Sequence, residues 1–488
     1  MLMTLLQVLL VPFLFVFVTY LAGVRWGKRA GWLAFLSLAY STMLILLAGA
    51  QGGLVEYYDW RPIGLFGLNA DGLSIPILFT IALLCTLISI YSMSYMTHSI
   101  GESRQFGLYY ALLLLYSVGM MGAVLATNLI EFYLFFELML IPSYFLIARW
   151  GSGDRDRISF MYFLWTHIGA LAFLAGILSV GYFSGSFDLQ AILTGSIPSN
   201  LRMLIVGLMV VGLLVKMAAF GLHIWLPHAH AEAPTPISAL LSPAMIGIGG
   251  YAIVRVVMAI LPSAFLEIST ALTVWAVVTM FYGGVMALVQ DDIKRLLAYS
   301  SISQMGYILL GIASLQPLGV SGAMFQYVTH GLGKGILFMM AGAIMIQADG
   351  LRSIKKMGGL ASKMPITATA ALIGFLTITG IPPTTGFISE FLIFAGSFHE
   401  AFQLSSMLRV TLSFLAVVST ALTAGYSLWA VRRIFFGGLP SELANIKEAP
   451  WTITVPILVL SVISIVLGIL PDLVERLLLP ALKVTVGG

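Results

Sequence analysis

Charge is scarce in this chain. Only 9% of its residues are Asp, Glu, Lys or Arg, against 60% hydrophobic. So few charges cannot keep the surface of a soluble domain hydrated, so the composition excludes a soluble enzyme or binding module. Cysteine is rarer still. Cys85 stands alone in an apolar run, which excludes disulfides and cysteine-held zinc or iron–sulfur sites. Alternating segments of about ten residues are absent, which excludes a membrane β-barrel. No nucleotide, haem or flavin motif is present, so the chain is expected to hold no cofactor. The net charge of +4 is not a nucleic-acid signal, because the basic residues lie between apolar segments.

What the chain does have is apolar runs of about 20 residues from end to end, with a mean hydropathy of +1.02. A backbone facing lipid must satisfy its own hydrogen bonds, so these runs are helices of an all-α polytopic membrane protein. Fourteen are predicted, over 2–22, 31–50, 70–97, 106–126, 128–148, 158–182, 203–225, 236–260, 266–289, 293–314, 319–347, 366–398 with an interruption, 407–435 and 450–471. The segment Met1 to Leu21 lacks the basic start of a signal peptide and is too long for one, so it reads as the first span. The connections are short, leaving no room for an extramembrane domain. With these spans, sixteen of the 24 lysines and arginines fall in loops on one side and six on the other. Lys216 and Lys334 lie inside helices. The excess places the richer side in the cytoplasm of a cell (inner/plasma) membrane and both termini outside.

Ionisable groups inside such helices are costly, so each is a candidate for ion movement. Lys216 lies at least nine residues from either end of its predicted span, too deep to snorkel to an interface. Glu137 sits near the middle of the fifth helix, in EFYLFFELMLIPSYF, and Lys216 is its expected partner. His330 and Lys334 are four apart in FQYVTHGLGKGILF and share a helix face, with Gly331, Gly333 and Gly335 leaving room for close packing or water. Glu390 follows the sequence TGIPPTTGF, where backbone groups freed by a helix break invite water. After Lys216 come His223, His228, His230 and Glu232. The spacing HAHAE provides no helical i,i+4 pair, so a metal site is not expected. His228 and His230 are expected at the cytoplasmic mouth, as a proton inlet or a loop clamp. His167 reads equally as core or relay. Glu131 reads as favouring the positive end of its helix, and Asp71 as a helix cap.

The seventh and twelfth helices both carry breaking sequence, FGLHIWLP at 220–227 and TGIPPTTGF at 379–387. Paired breaks point to two similar halves with ion sites beside the freed backbone. The predicted units are 1–105, 106–260, 266–436 and 450–488.

The stretches FFELMLIPSYFLIARWG, KMAAFGLHIWLPHAHAEAPTPISALL, QDDIKRLLAYSSISQMGYI, HGLGKGILF and GIPPTTGFISEFLIF resemble the antiporter-like subunits of respiratory complex I and its relatives, over nearly the whole chain. Those relatives include F420H2 dehydrogenases, membrane-bound hydrogenases and multisubunit cation/proton antiporters. The position of Glu390 and the number of helices are most similar to the M-type subunit. The resemblance implies two inverted five-helix repeats and one proton channel, with Glu137, Lys216 and Glu390 at key positions. It also implies partners: L-, N- and K-like membrane-arm subunits, a peripheral redox arm and surrounding lipid. One departure stands out. MIGIGGYAIVR places Gly247 where the M-type pattern has a lysine, while His330 and Lys334 resemble the L-type and hydrogenase pattern. The central relay is therefore expected to run through the eleventh helix. The expected function is a proton-translocating subunit of a redox-driven pump, of the NADH-quinone or F420H2 dehydrogenase type, with a quinone or methanophenazine-type acceptor. The alternative is a subunit of a Na+/H+ antiporter or membrane-bound hydrogenase.

Overall fold

The computed structural model describes residues 4–192 and 197–486. Residues 1–3, where the first predicted helix begins, lie outside them. Helices α1 (Leu6–Trp26), α2 (Gly31–Ala50), α3 (Ser74–Tyr95), α4 (Ser103–Leu125), α5 (Leu129–Trp150) and α6 (Arg155–Ser184) follow the apolar runs. The seventh span is two pieces, α7 (Ser199–Lys216) and α8 (Trp225–Glu232). Then come α9 (Thr235–Met258), α10 (Pro262–Leu288), α11 (Ile293–Ala313) and α12 (Pro317–Gln347). The twelfth span is again two pieces, α13 (Pro365–Thr379) and α14 (Thr385–Gln403), followed by α15 (Met407–Phe435), α16 (Trp451–Ile469) and α17 (Asp472–Val486).

Among the described residues, twelve stretches are long and apolar enough to cross a membrane, against the fourteen expected. The difference lies in two places. Leu6–Ala50 counts as one stretch but contains α1 and α2, joined by one tight turn at Gly27–Ala30 and packed on each other. The twelfth span is cut into pieces, of which Pro365–Thr379 is too short to count. The order of contacts supports two halves. The pairs α4–α5, α5–α6 and α6–α7 recur as α10–α11, α11–α12 and α12–α13/α14. Equivalent helices are five spans apart, an odd number, so they cross in opposite directions.

Two elements were not foreseen. Strands β1 (Leu54–Trp60) and β2 (Gly64–Ala70) form an antiparallel hairpin, pairing Leu54 with Ala70 and Trp60 with Gly64. The second strand displaces the start of α3 from residue 70 to Ser74. The other is α17, an amphipathic helix whose Glu475 accepts a hydrogen bond from Ser321 on α12 (2.9 Å).

The core consists of α3, α9, α11 and α12, buried on nearly all sides, while α1, α2, α6 and α15 keep broad apolar faces outward. Two close approaches set the helix carrying Glu390 against the helix carrying His330 and Lys334. A Cβ on Gly396 of α14 would lie 2.3 Å from Gly319 Cα of α12, and one on Gly322 would lie 2.6 Å from Ile393 N. Small residues let the two backbones meet, as at many helix crossings in membranes. Gly396→Val therefore forces α12 and α14 apart. We expect a loss of about 1–3 kcal/mol, read as a lower unfolding temperature of the detergent-solubilised protein; an unchanged temperature refutes the close crossing.

A polar clasp joins α3 to α9. Asp71 Oδ1 accepts the N–H groups of Leu73 (3.0 Å) and Ser74 (2.9 Å), as expected of a cap, and also takes Arg255 Nη2 at 2.6 Å. Burial alone would raise the Asp71 carboxyl, but the Arg255 charge and hydrogen bond, together with Ser74, hold it below the usual carboxylate range. A lowered carboxylate contributes stability that is present above its unfolded value, about 4, and lost only as pH falls through the folded value. Asp71→Asn is thus expected to cost about 2 kcal/mol at neutral pH. The gap from wild type should stay flat from about pH 8 to 5 and close only below about pH 4, checked by thermal unfolding across pH; a gap that closes above pH 6 contradicts it.

Candidate functional site

The first break begins at Met217, earlier than the sequence suggested. Lys216 is consequently the last residue of α7 and not the middle of a longer helix. That end carries the negative pole of the half-helix, which favours a cation. Ala218 and Gly221 turn the chain with positive φ (54° and 84°). The freed backbone groups are then met by side chains. Trp225 Nε1 donates to Val215 O (3.0 Å), Trp275 Nε1 donates to Phe220 O (2.8 Å), and Thr279 Oγ1 accepts from Phe220 N (3.1 Å). His223 belongs to this repair: its Nδ1 accepts from Gly221 N (3.1 Å) and its Nε2 meets Tyr282 OH (3.0 Å).

Lys216 is 2% exposed, and its Nζ lies over the Phe136 ring, 4.8 Å from the centroid. Glu137, the next residue on α5, does not form a direct ion pair with it. The Glu137 carboxylate instead meets His167 Nδ1 across α5 and α6 at 3.1 Å, leaving Oε1 without a partner. The reason is geometric. Phe136 and Glu137 point in different directions around α5, so the ring faces Lys216 while the acid turns toward α6 and a mostly buried position. His167, read equally as core or relay, is thereby a partner of an acid. Glu137 is still within electrostatic reach of Lys216.

A second cluster surrounds Lys334, which is fully buried. Its Nζ donates to Leu297 O (3.1 Å) and to Ser300 Oγ, both on α11. One turn along α12, His330 Nε2 meets Ser242 O (3.2 Å), and Ser242 Oγ meets Ser301 Oγ (2.7 Å). Ser242 lies in one of two widened turns of α9, Leu241–Met245, around Pro243. The Gly247 departure has a physical counterpart here. A Cβ at Gly247 would lie 2.3 Å from the Tyr327 ring of α12, so that ring occupies the space a side chain would need.

From this cluster a polar line runs to Glu390. Ser300 and Gln304 are one turn apart on α11. Gln304 donates to Ile378 O (3.0 Å), a carbonyl freed by the second break, and accepts from Gln326. Ser389 Oγ donates to Gln326 Oε1 (2.5 Å) and meets Thr329 Oγ1 (3.1 Å). Glu390 is the next residue, 5% exposed, with Oε1 unpartnered. Its carboxylate is packed against the break itself, where a Cβ on Gly380 (φ 71°) would lie 2.5 Å from Glu390 Oε2. Sequence reasoning did not single out Gln304, Gln326 or Ser389. Their signal was available: two glutamines inside apolar helices. Among the described residues, the Lys216 and Lys334 clusters are not joined by a direct side-chain hydrogen bond.

Four other residues stand apart from their sequence reading. Glu131 is buried under the hairpin, with Oε2 accepting Gly67 N–H (3.1 Å), more than a charge at a helix start. Lys294 and Arg409, counted among loop residues, are 1% and 3% exposed. Arg409 hydrogen-bonds Ser269 (2.5 Å) and approaches Glu400 (3.8 Å). His228 is half-buried on α8, but His230, expected in the mouth, is wholly enclosed. Among the described residues, no group of three or more His, Cys, Asp or Glu is placed to hold a metal.

Known proteins resemble this chain in sequence and in fold over most of its length. The family described as NADH:quinone oxidoreductase/Mrp antiporter, TM, matches residues 126–419, and the complex I chain 5 N-terminus family matches residues 63–106. F(420)H(2) dehydrogenase subunit M of Methanosarcina mazei is 33% identical over 460 residues, covering 90% of this chain and 89% of the relative. NADH-quinone oxidoreductase subunit M of Rickettsia bellii is 33% identical over 445 residues, covering 90% and 87%. Among solved structures, a chain of respiratory complex I from Thermus thermophilus superposes with a TM-score of 0.89 at 26% identity, covering 99% of both chains. A chain of the Mrp complex from Dietzia superposes with a TM-score of 0.87 at 22% identity, over 99% of this chain and 97% of that one, a likeness of fold alone. With its two broken helices and the buried acids and lysines beside them, this chain belongs to the family of antiporter-like membrane subunits shared by NADH:quinone oxidoreductases and Mrp antiporters.

Proposed function

We propose that this chain is a proton-translocating subunit of the membrane arm of a redox-driven pump, carrying one proton channel and no redox centre. The observation that carries the proposal is the buried polar line from Lys334 through Ser300, Gln304, Gln326 and Ser389 to Glu390. An apolar bundle tolerates such a line at considerable cost, and hydrogen-bonded side chains with interspersed water are what a proton needs to move. Protons are taken up from the cytoplasmic side, reach Lys216, pass to His330 and Lys334, and leave through Glu390 to the side where both termini lie. Glu137, paired with His167, sets how strongly Lys216 holds its proton, through their mutual attraction. The gap between the Lys216 and Lys334 clusters is where water enters transiently. Subunits of L, N and K type and a peripheral redox arm complete the machine. NADH or reduced deazaflavin serves as donor and a quinone or methanophenazine-type carrier as acceptor. The subunit M relatives at 33% identity support this redox reading over a free-standing Na+/H+ antiporter.

The decisive measurement uses membrane vesicles containing the assembled complex, with electron transfer and lumenal acidification recorded together. Glu137→Gln and Lys216→Ala are expected to lower pumping and coupled electron transfer by about tenfold or more, with assembly intact. Pumping that continues unchanged in both variants makes the subunit structural. Glu390→Gln tests the outlet. It retains the shape of the side chain but cannot ionise, so we expect acidification to fall while Glu390→Asp restores a measurable part of it. Equal pumping by the Gln variant and wild type would remove Glu390 from the route.

A further inference from the structure

His230 has no role in the pathway above, and its surroundings are unusual. It is 0% exposed, and neither ring nitrogen has a hydrogen-bond partner. Its ring stacks on Phe338 of α12, with centroids 4.9 Å apart and an interplanar angle of 23°. Phe338 is one helical turn from Lys334, on the same face. An imidazole enclosed with both nitrogens unsatisfied calls for water or for a function. The charges within reach of the ring are those of Lys294, Lys334 and His330.

His230 is also next to an opening. It sits on α8, two residues before Glu232. Glu232 lines a polar basin of about 560 Å³, together with Asp291, Asp292, Arg295 and Arg352. Lys294, in the first turn of α11, follows Asp292 and precedes Arg295, two residues that line the basin. Its Nζ donates to Ala231 O (3.3 Å) and Ala233 O (2.5 Å), the carbonyls at the C-terminal end of α8. A buried ammonium at that end satisfies orphaned carbonyls and the negative helix pole together. It therefore fixes α8, and with it the ring of His230, between the basin and Lys334.

We propose that His230 is a second proton inlet, carrying protons from the basin directly to Lys334 without passing Lys216, and that Lys294 is the positioning residue that holds it there. A hydronium in the basin protonates one ring nitrogen, forming an N–H bond and leaving water. The imidazolium then releases the proton from its other nitrogen, through one water, to the neutral amine of Lys334. Lys334 becomes an ammonium and His230 returns to the neutral ring, with no electrons exchanged. The stacking on Phe338 keeps the ring oriented while leaving both nitrogens without a protein hydrogen-bond partner.

This inference rests on the proton-channel reading, and the experiment separates the two. In the vesicle assay, His230→Ala is expected to lower acidification per electron transferred, with assembly retained. Imidazole added to the medium should restore it by filling the space that the side chain vacates. Lys294→Arg should keep pumping, and Lys294→Met should lower it in a way imidazole does not rescue. A merely structural His230 would give a loss that imidazole leaves untouched, and that result, or normal pumping by His230→Ala, overturns the inference. If Glu137→Gln and Lys216→Ala also pump normally, the channel reading falls with it. If those two fail while His230→Ala pumps normally, only the second inlet is lost.

Discussion

A charge inside an apolar helix bundle must find compensation, and each part of this structure is arranged around that need. The cost of taking an ammonium or carboxylate out of water is several kcal/mol even after relaxation. For four of these groups the chain meets it without a close opposite charge. Lys334 and Lys294 donate to carbonyls of α11 and of the end of α8. Lys216 rests on a phenylalanine face, and Glu390 is folded against the glycine of a broken helix. None of these four is locked in a close ion pair among the described residues. A tight buried pair would hold its protons strongly, whereas groups compensated by dipoles and rings can change charge with smaller rearrangement.

The two breaks supply this compensation in complementary ways. A broken helix exposes a negative pole at the end of its first piece and a positive pole at the start of its second. Lys216 occupies the last turn of α7, at a negative pole. Glu390 lies in the second turn of α14, close to a positive pole. Equivalent helices of the two halves thus use opposite ends of the same device, one for a cation and one for an anion. Because equivalent helices cross in opposite senses, the second pieces that follow the two breaks lead to opposite sides of the bundle.

Most of the helical architecture was legible because length and apolarity define membrane spans almost by themselves. The run at 407–435 was read to the residue, because its lipid-length hydrophobicity coincides with a Ser406 cap at its start and arginines in its last turn. Errors arose where local pairing outweighed composition. The hairpin at Leu54–Ala70 depends on cross-strand contacts and on docking to Ala126 and Thr127, which no single segment reveals. The break at Met217 was placed several residues late because Pro227, the visible breaker, lies inside α8, in its first turn. The burial of individual ionisable residues was legible for Lys216 and Lys334, which lie deep in apolar sequence. It was not legible for Lys294 or His230, which lie near segment ends, where sequence alone cannot tell a loop from the inner wall of a mouth.

The same limit explains the pairing of Glu137. Its depth in α5 could be read from the sequence, but the direction of its side chain depends on how α5 is rotated against α6 and α7. One position around the helix separates the ring that covers Lys216 from the acid that meets His167. Gly247 makes the point in reverse. Its lack of a side chain looks like a missing group until Tyr327 is found filling the space, with its hydroxyl on Ala244 O at 2.6 Å. Tyr327 stands one turn before His330 on α12. The ring that closes the position on α9 therefore belongs to the helix that bears His330 and Lys334. A side chain at 247 and the present packing of α12 exclude each other sterically, and the buried titratable groups on the helix that fills the space are His330 and Lys334.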